Sequence, residues 1–534
     1  MRIDASALNQ HTRLVRALTD PARYPHPTQG SVTVVETHIS SVLLTGDYAY
    51  KLKKPVDLGF LDFTSLSQRA HFCHEELRIN RRTAEALYVD VVAITGSHDA
   101  PQVEADPSAP GAIDYAVRMR QFDQGDRLDA CLAERGLALA TIESLAERIA
   151  ALHTAAAVVP DAADWGQPEA VLQPMLVNFD TLDESLDLEA LGLAKTCQGL
   201  RQWTRARHAQ LREVLAGRRR AGRIREGHGD LHTGNIALID GVPVLFDAIE
   251  FAPALRHVDA VNDMAFLAMD LEARGFPGAA RRLVSHWREV TDDHQGLALL
   301  DLYRTYRALV RAKITALAYR EAPGDAGDGH DPRLETVRGY IELAQRYTQP
   351  RRAFLAITRG LSGAGKSTLA NLVVARHGAI RLRSDVERKR LHGLDPTSRP
   401  GAAVGEGLYS EAATQRTFAR LREIAGDLLQ AGLSVVVDAT FLSRARRAPF
   451  AALADEHGVD FWILDLDAPV AALEARIQAR AAGGGDPSDA TLDVLRSQLA
   501  AREPLTDREA GAAIAVDATD VQRAPLSRLA RISG

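Results

Sequence analysis

The stretch "GLSGAGKST", Gly360 to Thr368, constrains the fold of this chain more than any other part of it. It fits G-x-x-x-x-G-K-[ST], with Gly360, Gly365, Lys366 and Ser367 at the fixed positions. That spacing works in one setting. A strand ends, the backbone wraps a phosphate with its N–H groups inward, and a helix starts with its positive end on the anion. "AFLAIT" before the motif reads as the strand and "TLANLVVARH" after it as the helix. Ser362, Gly363, Ala364 and Thr368 complete the wrapping backbone. Lys366 reaches the β and γ oxygens, and Ser367 is placed to ligate Mg²⁺.

"AIRLRSD", "LSVVVDATF" and "VDFWILDLD" are further apolar runs, each leading into a helical pattern. Alternating strands and helices imply a parallel sheet covered on both faces. The pattern begins at "YTQPRR", which places a boundary at residue 349. Residues 349–534 are thus expected to form an α/β P-loop NTPase fold, and residues 1–348 a separate domain. A chain of 534 residues is too long for one core.

Asp438 ends an apolar strand and is a candidate Mg²⁺ ligand. Asp385, Arg388 and Lys389 lie just past the second strand. Arg476 and Arg480, at i and i+4, share a helix face ahead of the Gly-rich "AAGGGDPSDA". They suit a lid that neutralises a transferring phosphoryl group; the plain alternative is a solvated face in an arginine-rich chain. Over about residues 352–510, "GLSGAGKST", "SDVERKR", "DATF" and "ARIQAR" resemble the small P-loop kinases of the gluconate kinase, polynucleotide kinase and zeta-toxin type. By that resemblance Asp385 is the acceptor-side base or binding residue. Motor-type ATPases carry a second acid beside the strand-end aspartate, whereas Ala439 follows Asp438 here, which favours transfer to a small acceptor.

Upstream, "GHGDLHTGN" gathers His228, Asp230, His232 and Asn235 ahead of "IALID" and "VPVLFDAIEF". A zinc site would use the two histidines on a helix, as in H-E-x-x-H, but Gly227, Gly229 and Gly234 indicate a loop and the Glu is missing. The alternative is phosphoryl transfer, with Asp230 as base and Asn235 and Asp247 holding Mg²⁺. The segment resembles the aminoglycoside phosphotransferase family over roughly residues 30–320. That implies an α+β bilobal, protein-kinase-like fold in which a strand lysine pairs with nucleotide phosphates and a helix glutamate. "YAYKLKK" offers Lys51 first and Lys53 second, which share a strand face; "HFCHEELRIN" offers Glu75 or Glu76. The lysines stand out because only seven of the 64 basic residues are lysine. Two departures accompany the resemblance. "THISS", with Ser40 and Ser41, replaces a Gly-rich phosphate turn, and "FDAIEF" replaces D-F-G, leaving Glu250 as an extra ligand or a partner of Arg256.

The whole chain resembles a fused bacterial protein with an aminoglycoside phosphotransferase-like domain joined to an ATP-binding kinase domain. The expected function is therefore a bifunctional transferase using ATP and Mg²⁺ on small-molecule hydroxyl acceptors. Its rivals are a nucleotide-sensing regulatory protein and a nucleic-acid end kinase. A net charge of −6 and the lack of an aromatic-interleaved basic groove disfavour the last. Three scattered cysteines, no signal-peptide core and no membrane-length apolar run point to the cytoplasm.

Overall fold

The computed structural model describes residues 2–59, 61–321, 331–395, 408, 410–483 and 492–530. The chain packs as two compact units, residues 1–177 with 212–270, and residues 178–211 with 271–534. The pattern change at 349 marks where the parallel sheet begins. The compact units divide the chain elsewhere, because the helices of 271–348 pack in the same unit as that sheet.

The first unit holds a six-stranded antiparallel sheet. Its strands are β1 (Thr33–Glu36), β2 (Ser40–Leu44), β3 (Tyr48–Lys53), β4 (Tyr88–Ser97), β5 (Ala100–Glu104) and β6 (Asp114–Arg120), in spatial order β1-β2-β3-β6-β4-β5. Helix α1 (Leu66–Ala84) starts where Ser65 Oγ accepts the Gln68 N–H, and it packs on β4 and β6. Its face carries Cys73 and Ala84 into a cluster with Leu87, Tyr88, Val91 and Val117. Val244 and Phe246 pack on the same cluster, so the helix that bears Glu76 and the segment that leads to Asp247 share one apolar seat. Each fully buried large side chain here contributes about 1.5–3 kcal/mol. The hairpin of β7 (Ile236–Ile239) and β8 (Val242–Leu245) pairs Ile236 with Leu245. One further bond, from Phe246 N–H to the Asn235 carbonyl at 3.0 Å, brings Asn235 and Asp247 together at the hairpin mouth.

The second unit holds five parallel strands: β9 (Phe354–Arg359), β10 (Ile380–Arg383), β11 (Val435–Asp438), β12 (Asp460–Asp467) and β13 (Ala513–Asp517). They lie in the order β10-β11-β9-β12-β13. Every residue of β9 is buried, as a central strand covered on both faces requires. Helix α2 (Pro277–Thr291) packs on α3 (Lys366–His377) and on β10, burying Ala280, Leu283, Val284 and Trp287. Its apolar stripe is the physical reason that this part of the chain joins the parallel sheet. Helix α4 (Ser384–Leu391) follows β10 directly. No helix among the described residues is long and apolar enough to cross a membrane.

Candidate functional sites

In the first unit, Lys51 and Lys53 alternate with Leu52 on β3, so both ammonium groups leave the same face. Glu76 is completely buried and bridges them: Lys51 Nζ donates to Oε1 and Lys53 Nζ to Oε2, each at 2.8 Å. The lysines then diverge. Lys51 also meets Asp247, whose carboxylate is 41% exposed, while Lys53 is sealed against Glu250 and lies 5.0 Å from the Phe63 ring centroid. Lys51 therefore faces the open side and Lys53 supports it from within.

Glu75 turns elsewhere, to Arg78 at 3.0 Å and Arg256 at 3.5 Å. Of the two roles open to Glu250, extra metal ligand or partner of Arg256, the second needs correction. The Glu250 carboxylate meets Lys53; Arg256 reaches Glu250 at its backbone carbonyl, at 2.9 Å, and pairs its charge with Glu226 at 3.1 Å and Glu75. Burial works against charge on Lys51, but Asp247, Glu76 and Glu250 outweigh it and hold its pKa well above the ordinary value. Burial would raise the Glu76 pKa, yet the two lysines pull it down to about 2. Glu250 moves the other way, raised by burial and by Glu76.

Asp247 has a left-handed backbone, φ 61°, uncommon for a residue other than glycine. Two bonds hold it there. Its N–H donates to the Tyr88 hydroxyl at 3.1 Å, and the Ala248 N–H donates to Asn80 Oδ1 at 2.8 Å. Across the hairpin mouth, Asn235 Nδ2 donates to the Asp230 carbonyl at 2.9 Å and to Asp230 Oδ2 at 3.0 Å. That leaves the Asn235 amide oxygen and the Asp247 carboxylate as hard oxygen donors, the type Mg²⁺ selects. The zinc alternative fails on His228. This fully buried ring sets Nε2 2.9 Å from the Phe246 carbonyl, and its Nδ1 accepts the Asp230 N–H at 3.3 Å, so neither nitrogen faces a metal.

Ser40 and Ser41 also require correction. The turn falls at residues 37–39, and both serines lie on β2 with no exposed surface. Ser41 Oγ is tied to His11 Nε2 and to Glu36, each at 3.0 Å. A phosphate covered by this hairpin would meet the turn, not those hydroxyls.

In the second unit, the 360–368 loop joins β9 to α3 as its spacing requires. A Cβ on Gly363 would stand 3.1 Å from the Leu473 carbonyl, and the residue has φ +83°, so only glycine fits. Lys366 Nζ donates to the Leu361 carbonyl at 2.9 Å, within the loop it would leave to meet a phosphate. Arg476, on α5 (Val470–Gly483), has Nη1 3.4 Å from the Gly363 carbonyl. The Arg480 side chain lies outside the described residues, as do residues 484–491. Asp438 ends β11, and Asp385 sits in the first turn of α4. Burial raises the Asp385 pKa; Arg388, Arg383 and Lys366 oppose the rise and Asp438 adds to it, so these groups share one electrostatic neighbourhood. Lys389, by contrast, is buried at 2% exposure. The Ser367 hydroxyl and Asp438 carboxylate are again oxygen donors of the Mg²⁺ type.

Over 483 residues the chain is 32% identical to uncharacterized protein Rv2004c of Mycobacterium tuberculosis and to uncharacterized protein Mb2027c of Mycobacterium bovis. The alignments cover 90% of this chain and 92% of each relative. The chain belongs to their family. Within this family member, residues 355–505 match the family described as AAA domain. Among solved structures, a gluconokinase from Sinorhizobium meliloti 1021 is 22% identical with a TM-score of 0.25, over 34% of this chain and 94% of that one. A choline kinase from Cryptosporidium parvum Iowa II is 9% identical with a TM-score of 0.38, over 64% and 95%. In this family member that match takes in the 360–368 loop and strands β10, β11 and β12 of the parallel sheet.

Three supports escaped the sequence reading. Asp263 is completely buried and accepts the N–H groups of His228 at 2.7 Å and Gly229 at 2.9 Å. Gly227 lies so close that a Cβ there would stand 2.2 Å from Asp263 Oδ2, which explains a loop glycine with an ordinary backbone. Asp270 accepts the Thr233 N–H at 3.0 Å and also meets its hydroxyl. Gln498, on α6 (Leu492–Ala500), accepts the Ser362 N–H at 2.8 Å. The signal for the first two was available: acids seven residues apart in the apolar "AVNDMAFLAMD" sit on one helix face and need polar partners. Asp263→Ala will strand two buried donors at about 1–3 kcal/mol each. Its denaturant midpoint will drop together with turnover at the Asp230 site, and Asp263→Asn, which keeps one acceptor, will lose less.

Proposed function

We propose that this protein is a bifunctional phosphotransferase in which each domain moves the γ-phosphoryl group of ATP to a small-molecule hydroxyl. The observation that supports it most is the meeting of Lys51 with both Glu76 and Asp247, beside an Asn235 bonded to Asp230. In the first domain Lys51 holds the nucleotide phosphates, and Asn235 and Asp247 are the residues that would hold Mg²⁺. Bound Mg²⁺ supplies charge neutralisation at the β and γ oxygens. Asp230 takes the proton of the acceptor hydroxyl as its oxygen bonds to the γ-phosphorus and the bond to the β–γ bridging oxygen breaks, releasing ADP.

The second domain has the same logic with different parts. The 360–368 backbone and Lys366 hold the phosphates, Ser367 and Asp438 would hold Mg²⁺, Asp385 serves the acceptor, and Arg476 neutralises transferring charge with Arg480. Positioning and charge neutralisation account for most of such a rate, which is why separate sites can work in one chain.

ATP consumption in a metabolite extract tests the two-site reading. It is expected to survive Asp230→Ala in part and Lys366→Ala in part, and to vanish in the double variant. Complete loss in either single variant, with nucleotide still bound at the other site, would show a sensor controlling one enzyme instead.

A further inference from the structure

Helix α2 ends on two adjacent charged residues that are both buried. Arg288 is 0% exposed and sets Nη2 3.1 Å from Glu387 Oε1 on α4. Glu289 is 5% exposed and receives two guanidinium groups from β10: Arg381 Nη2 at 3.4 Å and Arg383 Nη1 at 3.3 Å. His286 Nδ1 stands 3.8 Å away, and Arg390 donates to the Glu289 carbonyl. Ser285 Oγ accepts the Arg381 N–H at 3.0 Å, so this turn of α2 is bonded to the strand itself.

Arg383 is the last residue of β10 and the register partner of Asp438 on β11. Side chains paired in register leave a sheet on the same face. Its guanidinium thus stands in the field of Glu289, Asp438 and Asp385 together, and the ion pair it forms is with Glu289. A fork-shaped cation this near Asp438 could instead take the carboxylate oxygens that a metal needs. We infer that Glu289 is a positioning residue of the P-loop site, holding Arg383 off Asp438 and Asp385 so that those carboxylates stay available to Mg²⁺ and the acceptor hydroxyl. The inference rests on the P-loop reading given above.

The test uses the full chain carrying Asp247→Ala, which silences the other Mg²⁺ site, and follows binding of a fluorescent ATP analogue as Mg²⁺ is titrated. Glu289→Gln is expected to raise the half-saturating Mg²⁺ concentration at least about 10-fold, the loss typical when the support of a metal ligand is removed. Binding measured without Mg²⁺ is expected to change little, while the melting temperature falls because two guanidinium groups lose a buried partner. Adding Arg383→Met to Glu289→Gln removes the intruding cation and is expected to restore the parental Mg²⁺ requirement. An unchanged requirement in the single variant, or no recovery in the double, overturns the inference, because a merely structural glutamate is not rescued by losing its partner. Should Glu289→Gln fail to fold, Arg383→Met alone decides: Mg²⁺ binding at parental strength or tighter supports the inference, and weaker binding overturns it. Mg²⁺-dependent analogue binding that ignores Lys366→Ala would instead sink the nucleotide reading of the P-loop itself.

Discussion

Asp230→Ala, placed in a Lys366→Ala background so that the first site alone is read, will slow turnover by about 10²–10⁴-fold, the contribution of a positioned general base. ATP affinity will stay close to the parent's, because Lys51, Asn235 and Asp247 remain. The geometry motivates the split between rate and binding. The Asp230 carboxylate is 38% exposed, unlike the buried Asp263 and Asp270, and Asn235 Nδ2 bonds one of its oxygens at 3.0 Å. His232 Nε2 lies 3.4 Å from the same oxygen, so the carboxylate is oriented from both sides. Asp230→Asn keeps that shape and cannot take a proton. A loss equal to that of alanine identifies proton transfer; a rate near the parent's would mean that Asp230 only shapes the loop. Single-turnover measurements with saturating ATP separate the two.

Glu76→Ala will be the most damaging single change to stability in the first unit, at about 3–5 kcal/mol, the usual result of removing one partner from a buried ion pair. It takes one carboxylate from two ammonium groups at once, leaving Lys51 with Asp247 and the fully buried Lys53 with Glu250 alone. Chemical denaturation at neutral pH will show the loss, and nucleotide binding will weaken with it because Lys51 loses its anchor. The pH dependence has a definite sign. The Glu76 pKa falls from an ordinary 4.5 to about 2 on folding, so its stabilisation is fully present above about pH 4.5. It is lost as pH drops towards 2. Glu250, raised by burial, acts in the opposite sense, so the Glu76 part must be read by difference. Stability of the parent will therefore fall more steeply between pH 4.5 and 2 than that of Glu76→Gln. Parallel acid curves would mean that the lysines do not depend on this carboxylate.

Local patterns were legible wherever neighbouring residues decide the outcome. The strand, loop and helix around 360–368, the hairpin that follows Asn235 and the shared face of Lys51 and Lys53 all stand where their spacing implies. Two features were misread at short range. Ser40 and Ser41 look like turn residues from composition, but Thr37 Oγ1 accepts the Ser40 N–H at 2.9 Å and closes the turn one step earlier. For Glu250, a metal ligand or a partner of the nearby Arg256 by its sequence, the pairing is overturned because a buried lysine on another element outcompetes Arg256.

What the sequence determined by itself was the chemistry on offer: backbone that can wrap phosphate, acids at strand ends, and a lysine-bearing strand before a glutamate-bearing helix. Those follow from hydrogen bonding and side-chain alternation over a few residues. Only the tertiary structure decided which groups meet. Glu76 rather than Glu75 faces the lysines because helix rotation is set by the apolar cluster beneath it, and Lys51 reaches an Asp247 that is 196 positions away. The same holds for Glu289, whose partners lie 92 and 94 residues downstream. Such pairings depend on how whole elements pack, and a buried charge accepts whichever opposite charge packing delivers.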